Sequence, residues 1–519
     1  MMKVVYLPLD ERPCNLKYPQ QLAAATDIQL FTPSKQILGR KKNPAKFEDI
    51  RSWLLRETKE ATHLILSLDM LVYGGIVPSR LHQLTDEECV ARLDVIKEIK
   101  QQNQRIIIYA FNLIMRVPSY NSSDEEPDYY AIYGERISHY GKLLDKKGRG
   151  ELLEQESEDF ILLKQEIPVE ILKDFTNRRR TNSATNLVAI DLVQIGLIDF
   201  LIFPLDDNAE YGFSAMEQSD LLFKVEQLQL MDRIAIYPGA DEIGCTLFSK
   251  VFCEIHQYTP ALYVRYSSTN GPFIIPKYED RSLQESIKSH LTASGAVMVD
   301  HSLDADAVLF THSPAVGQSG MAEPNQLFSE RHRSYFSEIN YREFIQAMQF
   351  YLSKNMVVGI ADVATCNGSD QTLMYMLKKQ GLLEKISAYA GWNTSGNSLG
   401  TVIAHTIIES YYHKMIDYER IAKSREFYYS RLVEDWGYQT IVRKQVATND
   451  IPRLGCTYFD ISSQLEVIQS IIKQKLEQFI KENLSNPAEG RLKLENVTSP
   501  WKRMFEVDFH LSYVMEKIV

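Results

Sequence analysis

Short, β-rich apolar runs recur down this chain, and each stops abruptly in acidic, amide or arginine residues. KVVYLPL runs into Asp10-Glu11-Arg12, HLILSL into Asp69 and then Tyr73-Gly74-Gly75, and IIIYAF into Asn112 with Arg116 just after. FLIFPL ends at Asp206-Asp207-Asn208, and IAIYPGA at Asp241-Glu242. Further on, VVGI runs into Asp362 with Asn367-Gly368, and ISAYAG into Trp392-Asn393-Thr394. Parallel strands are covered on both faces, so their bodies read as continuous apolar runs, and ligands in such sheets gather at the strands' carboxyl ends. The layout therefore points to an α/β protein built on mostly parallel sheets, with a carboxylate-rich face for chemistry.

A chain of 519 residues is too long for one compact core, which implies two or three domains. With 57 basic against 68 acidic residues and a net charge of -11, a nucleic-acid-binding face is not expected, because neutralising phosphates needs clustered Lys and Arg. The one dense basic tract, Asn177-Arg178-Arg179-Arg180, reads as a solvated helix end. No run approaches the roughly 20 apolar residues of a membrane span, and the first strand begins without the leader pattern of a secreted protein. Six scattered cysteines with no CxxC pair suit reduced thiols, so a cytoplasmic location is expected.

Strand and helix patterns alternate from residue 3 to about 258, interrupted by a helical insertion over 119–197 whose polar leading loop spans 119–128. This N-terminal β/α domain reads equally as a barrel or as a doubly wound sheet. The insertion reads as a lid over a site or as a bracket packed on the sheet. A helix is expected over 83–101, opened by the capping box of Thr85 and Glu88. The runs LYVRY, AVMVD, AVLFTH, VVGIADV and ISAYAGW between 259 and 405 suit a second, flavodoxin-like domain. Residues 406–519 read as mainly helical, closing with the strand-like FEVDFHLSYV.

Two acidic pairs are the expected chemical centre. Asp206-Asp207 follows one strand, and Asp241-Glu242 follows the next. Neighbouring strands lie roughly 5 Å apart, which would bring carboxylates to separations on the order of 5–10 Å, the range used by two-carboxylate glycosidases. One aspartate of the first pair would face the pocket while its neighbour anchors a helix start or the loop. Glu242, beside an aspartate on an apolar-flanked loop, is the expected general acid, with Asp241, Asp207 and Asp206 completing the catalytic set.

Around these lie the candidates for substrate binding. Asp10, Glu11 and Arg12 tip the first strand, and Arg80 and Arg116 follow later strand ends, where arginine can clamp an anionic group or pair with a site acid. Asp69, Tyr73, Asn112, Asn208 and Asp362 close strands. Asn367-Gly368-Ser369-Asp370 precedes a helix whose free backbone N–H groups could cradle an anion. Trp392, Asn393 and Asn397 set an indole beside amides, an arrangement suited to sugars and equally to a capped helix with a packed ring. His301, Asp304, Asp306 and His312 fit no metal-ligand spacing and read as polar decoration.

The strings YLPLDERPCN, LSLDMLVYGGIVPSR, YAFNLIMR, PLDDNAEYG, YPGADEIGCTL, ADVATCNGSD and AYAGWNTSGNSLGT closely resemble a bacterial family catalogued as a domain of unknown function, number four-one-two-seven. That resemblance runs from residue 3 to past 405 and implies no activity. A weaker, local one is to β-N-acetylhexosaminidases, which carry Gly-Gly-Asp-Glu where this chain has Gly239-Ala240-Asp241-Glu242. It implies that Asp241 orients an acetamido group and Glu242 donates the proton, although Tyr237-Pro238 departs from the pattern.

The expected function is a glycosidase-like hydrolase of a small sugar derivative, with no cofactor required and no nucleic-acid or membrane partner. The alternatives are a hydrolase or lyase with Mg²⁺ or Mn²⁺ in a carboxylate cage, built from Asp10, Asp69, Asp206 and Asp362, and a non-enzymatic small-molecule binder.

Overall fold

A computed structural model describes residues 2–484 and 491–514, and resolves the chain into two compact units. The first holds the chain up to Glu11, Gln29–Ile243 and Tyr278–Asp280. The second holds Arg12–Ile28, Gly244–Lys277 and the chain from Arg281 onward.

The first unit is an open parallel sheet. Its strands are β1 (Lys3–Leu7), β2 (Gln29–Phe31), β3 (His63–Ser67), β4 (Ile107–Phe111), β5 (Phe200–Leu205) and β6 (Ile234–Pro238), in the order β2-β1-β3-β4-β5-β6 with parallel pairing throughout. The central bodies read as unbroken apolar runs because both faces are covered: Val4 through Leu7 and Leu64 through Leu66 are fully buried. β2 and β6 are the two edges and do not pair, so the doubly wound reading holds and the barrel alternative does not.

Several local expectations change. The capping box of Thr85 and Glu88 is formed, but the expected helix 83–101 divides at Asp94 into Asp86–Leu93 and Val95–Gln102. The insertion is a packed bracket. Tyr130, Ile137, Tyr140, Phe160 and Phe175 from its helices form one apolar cluster with Met115 and Phe213. The basic tract is not a solvated helix end either. It lies inside the helix Val169–Gln194, where Arg178 pairs with Asp174 and Arg179 with Glu217, and both arginines are buried. Of its three arginines, only Arg180 keeps its side chain in solvent.

The second unit has the strands β7 (Ala261–Tyr266), β8 (Val297–Val299), β9 (Ala307–His312), β10 (Val357–Asp362) and β11 (Ala388–Ala390). Their order, β11-β10-β9-β7-β8, is the flavodoxin-like order 2-1-3-4-5, again wholly parallel. The helix Ser395–Tyr412 packs on β10 so closely that a Cβ added at Gly359 would stand 2.1 Å from Thr406 Oγ1. Gly359→Ala should therefore cost about 1–3 kcal/mol of stability, read by urea unfolding. An unchanged midpoint would contradict this packing.

The C-terminal region is helical as expected, with Tyr418–Arg431 and Leu465–Asn483 as its longer helices after Ser395–Tyr412. Between them, Leu432–Val442 winds as a π-helix, which no periodicity announces. The closing strand, β13 (Asp508–Val514), pairs antiparallel with β12 (Arg491–Thr498), which the sequence reading passes over. Among the described residues, no helix is long and apolar enough to cross a membrane.

Candidate functional site

The strand ends of the first unit converge on a cluster of two arginines and four carboxylates. Arg80 closes the short turn Pro78–Arg80 and is 2% exposed. Its Nη1 donates to Glu125 Oε2 at 2.9 Å and Glu126 Oε1 at 3.2 Å, and its Nη2 to Asp206 Oδ2 at 2.6 Å. Arg116, beyond β4, donates from Nε to Glu126 Oε1 at 3.0 Å, from Nη2 to Glu125 Oε2 at 3.2 Å and from Nη1 to Asp207 Oδ2 at 3.2 Å. The arginines thus share both glutamates, and each takes one aspartate. Neither aspartate caps the following helix, so of the two expected anchoring roles, helix start or loop, the first is not taken. That helix begins at Phe213, and Gly212 N donates to Asp145 instead.

Four carboxylates against two guanidiniums leave the cluster acidic. Burial and the neighbouring Asp206 push the Asp207 carboxyl up to about 6, against the pull of Arg116 and Arg80. Asp207 also sits in the left-handed backbone region, at φ 42°, uncommon for a residue with a side chain. Its side chain keeps 28% exposure, the largest of the six. It is the member a ligand reaches first.

Asp69 stands on the first turn of the helix Leu68–Tyr73, which starts directly where β3 ends. Its Oδ2 accepts from Leu113 N at 2.8 Å, and burial pushes its carboxyl up to about 7. Asn112 donates to Asn186, and its own Oδ1 has no hydrogen-bond partner among the described residues. Asn208 is buried with both side-chain polar atoms unpartnered, while its N–H donates to Tyr278 O. Tyr73 is buried in a stack on His82. Asp10 and Glu11 are buried at the end of β1, where Glu11 Oε1 accepts from Lys41 N at 3.1 Å.

The second acidic pair lies on the neighbouring strand end, since β5 and β6 pair with Leu205 opposite Pro238. Glu242 is fully buried and turned back on its own loop. Its Oε2 accepts from Ala240 N at 2.9 Å, and a Cβ at Gly239 would stand 2.0 Å from its Oε1. Gly239, at φ 146°, is the residue that lets this carboxylate fold in. Asp241 is buried beside it.

The remaining candidates belong to the second unit. Arg12 lies over the Trp501 ring with Nη1 3.8 Å from Glu506 Oε1. Trp392 is buried edge-on to Tyr18, its Nε1 donating to Thr401 Oγ1 at 3.3 Å, so the indole is packed and not presented to a ligand. Asn367 N donates to Asn393 O at 2.7 Å, and both residues have positive φ. Asn397 is buried in the helix Ser395–Tyr412. The expected anion cradle before the helix Gln371–Lys379 is already occupied, because Asp370 caps that helix through Leu373 N. Asp362, fully buried at the end of β10, neighbours that cap.

Glu125 and Glu126 escape the sequence reading. They sit in the polar loop 119–128, and the only hint is a pair of acids in a chain with arginines near two strand ends. A groove of about 640 Å³ is lined by Leu81, Gln83, Pro127, Tyr129 and Arg178 among others, and none of the six cluster residues lines it. Among the described residues, no group of three or more His, Cys, Asp or Glu side chains is arranged to hold a metal ion. Of the carboxylates expected in such a cage, Asp206 is bonded to Arg80, Asp69 accepts from Leu113 N, and Asp362 accepts from Asp370 N and Tyr389 Oη.

No curated protein and no solved structure matches the chain. A family model described as a protein of unknown function, DUF4127, matches residues 4–510, and the chain belongs to that family.

Proposed function

We propose that the first unit is the catalytic unit of a hydrolase acting on a small sugar derivative. Asp207 is its proton carrier, and Glu242 is the second carboxylate, on the neighbouring strand end. The reading rests on one observation above the others: Asp207 is the exposed edge of a buried acidic cluster and holds its proton up to about pH 6. A general acid near neutrality needs a raised pKa beside groups that stay charged, and the guanidiniums of Arg80 and Arg116 supply that charge.

The surplus of carboxylates favours substrates rich in O–H or N–H donors over phosphorylated or carboxylated ones. The unpartnered Asn208 amide offers both a donor and an acceptor to such a substrate.

The test is a screen of the full chain against chromogenic glycosides, including N-acetylated amino sugars, followed by Asp207→Asn and Glu242→Gln on any substrate turned over. Loss of a general acid should lower kcat about 100-fold or more. Full turnover in Asp207→Asn would sink the assignment.

A further inference from the structure

We propose that the helix Val169–Gln194, the last of the insertion, is a positioning element of the acidic cluster: its buried polar stripe holds the backbone on which Arg80 and Arg116 stand. Arg178, Arg179, Asn182 and Asn186 fall within an arc of about 100° on one face of that helix. An amphipathic helix presents apolar side chains on its inward face. These four are buried instead, and each donates to a main-chain carbonyl.

The carbonyls they reach flank the two arginines. Arg178 Nε donates to His82 O at 2.9 Å and Asn182 Nδ2 to Ser79 O at 3.0 Å, one on each side of Arg80. Arg179 Nη2 donates to Met115 O at 2.8 Å and Nη1 to Arg116 O at 3.1 Å, while Asn186 Nδ2 donates to Leu113 O at 3.3 Å. Arg80 closes a single short turn, and residues 115–118 run without helix or strand, so carbonyls there take donors from outside any ladder. Asn182 is itself oriented from both ends. Leu84 N donates to His82 Nδ1 at 3.1 Å, which leaves the ring proton on Nε2, and Nε2 donates to Asn182 Oδ1 at 2.6 Å.

Arg179 makes the most of these contacts. It is 2% exposed, its guanidinium lies 5.6 Å from the centres of both the Phe175 and Phe213 rings, and its Nε and Nη2 donate to Glu217 at 2.7 and 2.8 Å. Glu217 belongs to the helix Phe213–Gln227, which follows the strand end bearing Asp207. One guanidinium therefore ties both sides of the Arg116–Asp207 ion pair: the backbone of Arg116 directly, and the helix after Asp207 through Glu217. Four such bonds need the planar five-donor fork of arginine, whereas lysine offers a single nitrogen. Arg179 is thus a positioning residue that acts through Arg116.

Where Arg116 stands decides how strongly it acts on Asp207. Burial and Asp206 raise the Asp207 carboxyl, Arg116 and Arg80 pull it down, and Glu125 adds to the rise; the Tyr120 hydroxyl faces the same charges. An Arg116 no longer held in place pulls less.

The test is Arg179→Lys in the full chain, with aspartates labelled at Cγ for carboxyl NMR, the Asp207 signal being the one that Asp207→Asn removes. The Asp207 titration should move up by about one pH unit or more. It should move in the same direction, by less, in Asn182→Ala, which releases the Arg80 side alone. Arg180→Ala, on the same helix with its side chain in solvent, should leave it in place. A purely structural role would lower the unfolding midpoint without moving this titration. An unmoved or lowered Asp207 titration in either folded variant would overturn the proposal, and Asn182→Ala decides the matter if Arg179→Lys does not fold. The readout needs no substrate, so a chain that hydrolyses no sugar derivative would sink the catalytic reading and leave the positioning role standing.

Discussion

Arg80→Met should destabilise the first unit by about 3–5 kcal/mol, because it removes one partner of a buried ion network and leaves the other charges uncompensated. Arg80 is the central cation: it bonds Glu125, Glu126 and Asp206 at once, and only Arg116 remains to serve the four carboxylates without it. Methionine keeps much of the volume, so the loss reports charge and hydrogen bonding more than packing. Adding Glu126→Gln to Arg80→Met should recover part of the loss, since the pair share one network. As a control, Arg180→Ala removes an arginine whose side chain is 67% exposed and pairs only at the surface with Asp86; it should change stability by less than about 1 kcal/mol. Urea unfolding of the three variants reads these differences. Equal midpoints for Arg80→Met and Arg180→Ala would contradict the account of the cluster.

Asp69→Asn should flatten the dependence of stability on pH. Burial raises the Asp69 carboxyl to about 7 in the folded chain, whereas an exposed aspartate titrates near ~3.9. Between these values the folded chain holds a proton that the unfolded chain has released. The contribution of this group is therefore complete below about pH 4 and is lost as pH rises through about 7. The span of about three pH units corresponds to about 4 kcal/mol. An asparagine keeps an oxygen to accept from Leu113 N but does not titrate. The native chain should lose stability relative to Asp69→Asn between about pH 4 and 8, at up to about 1.4 kcal/mol per pH unit. Parallel pH curves for the two proteins would show that Asp69 does not carry this proton. Asp207 and Asp362, also raised, push the native curve in the same direction, and the paired comparison isolates Asp69 from them.

Much of the architecture was legible because buried parallel strands leave a one-dimensional trace. KVVYL, HLILS, IIYAF, FLIFPL and VVGIAD have apolar bodies because both faces are covered, and polar residues come in only at their ends. The capping box of Thr85 was legible for a similar reason: its partners lie within four residues. Long-range charge pairing left no such trace. Arg80 meets Asp206 across 126 positions and Glu126 across 46, and no local pattern states that Glu125 and Glu126 join the strand ends. The arginine tract misled for the same reason. Arg179 looks like surface until Glu217, 38 residues on, is brought beside it. β12 was missed because RLKLENVT is half exposed and carries charges among its apolar positions, which resembles a polar helix as much as an edge strand. His312 was set aside as decoration together with His301 and Asp304. Those two are an exposed pair, while His312 is wholly buried at a strand end.

In our proposal Asp207, at the exposed edge of the acidic cluster, exchanges a proton with the ligand. The most direct measurement is the pH profile of kcat/KM on a sugar derivative that the full chain turns over. With Asp207 as general acid, activity should fall as pH rises past about 6, and Asp207→Asn should lose both that limb and about 100-fold or more of the rate. A variant that keeps the native rate and the same limb would contradict the claim that this cluster is the catalytic centre.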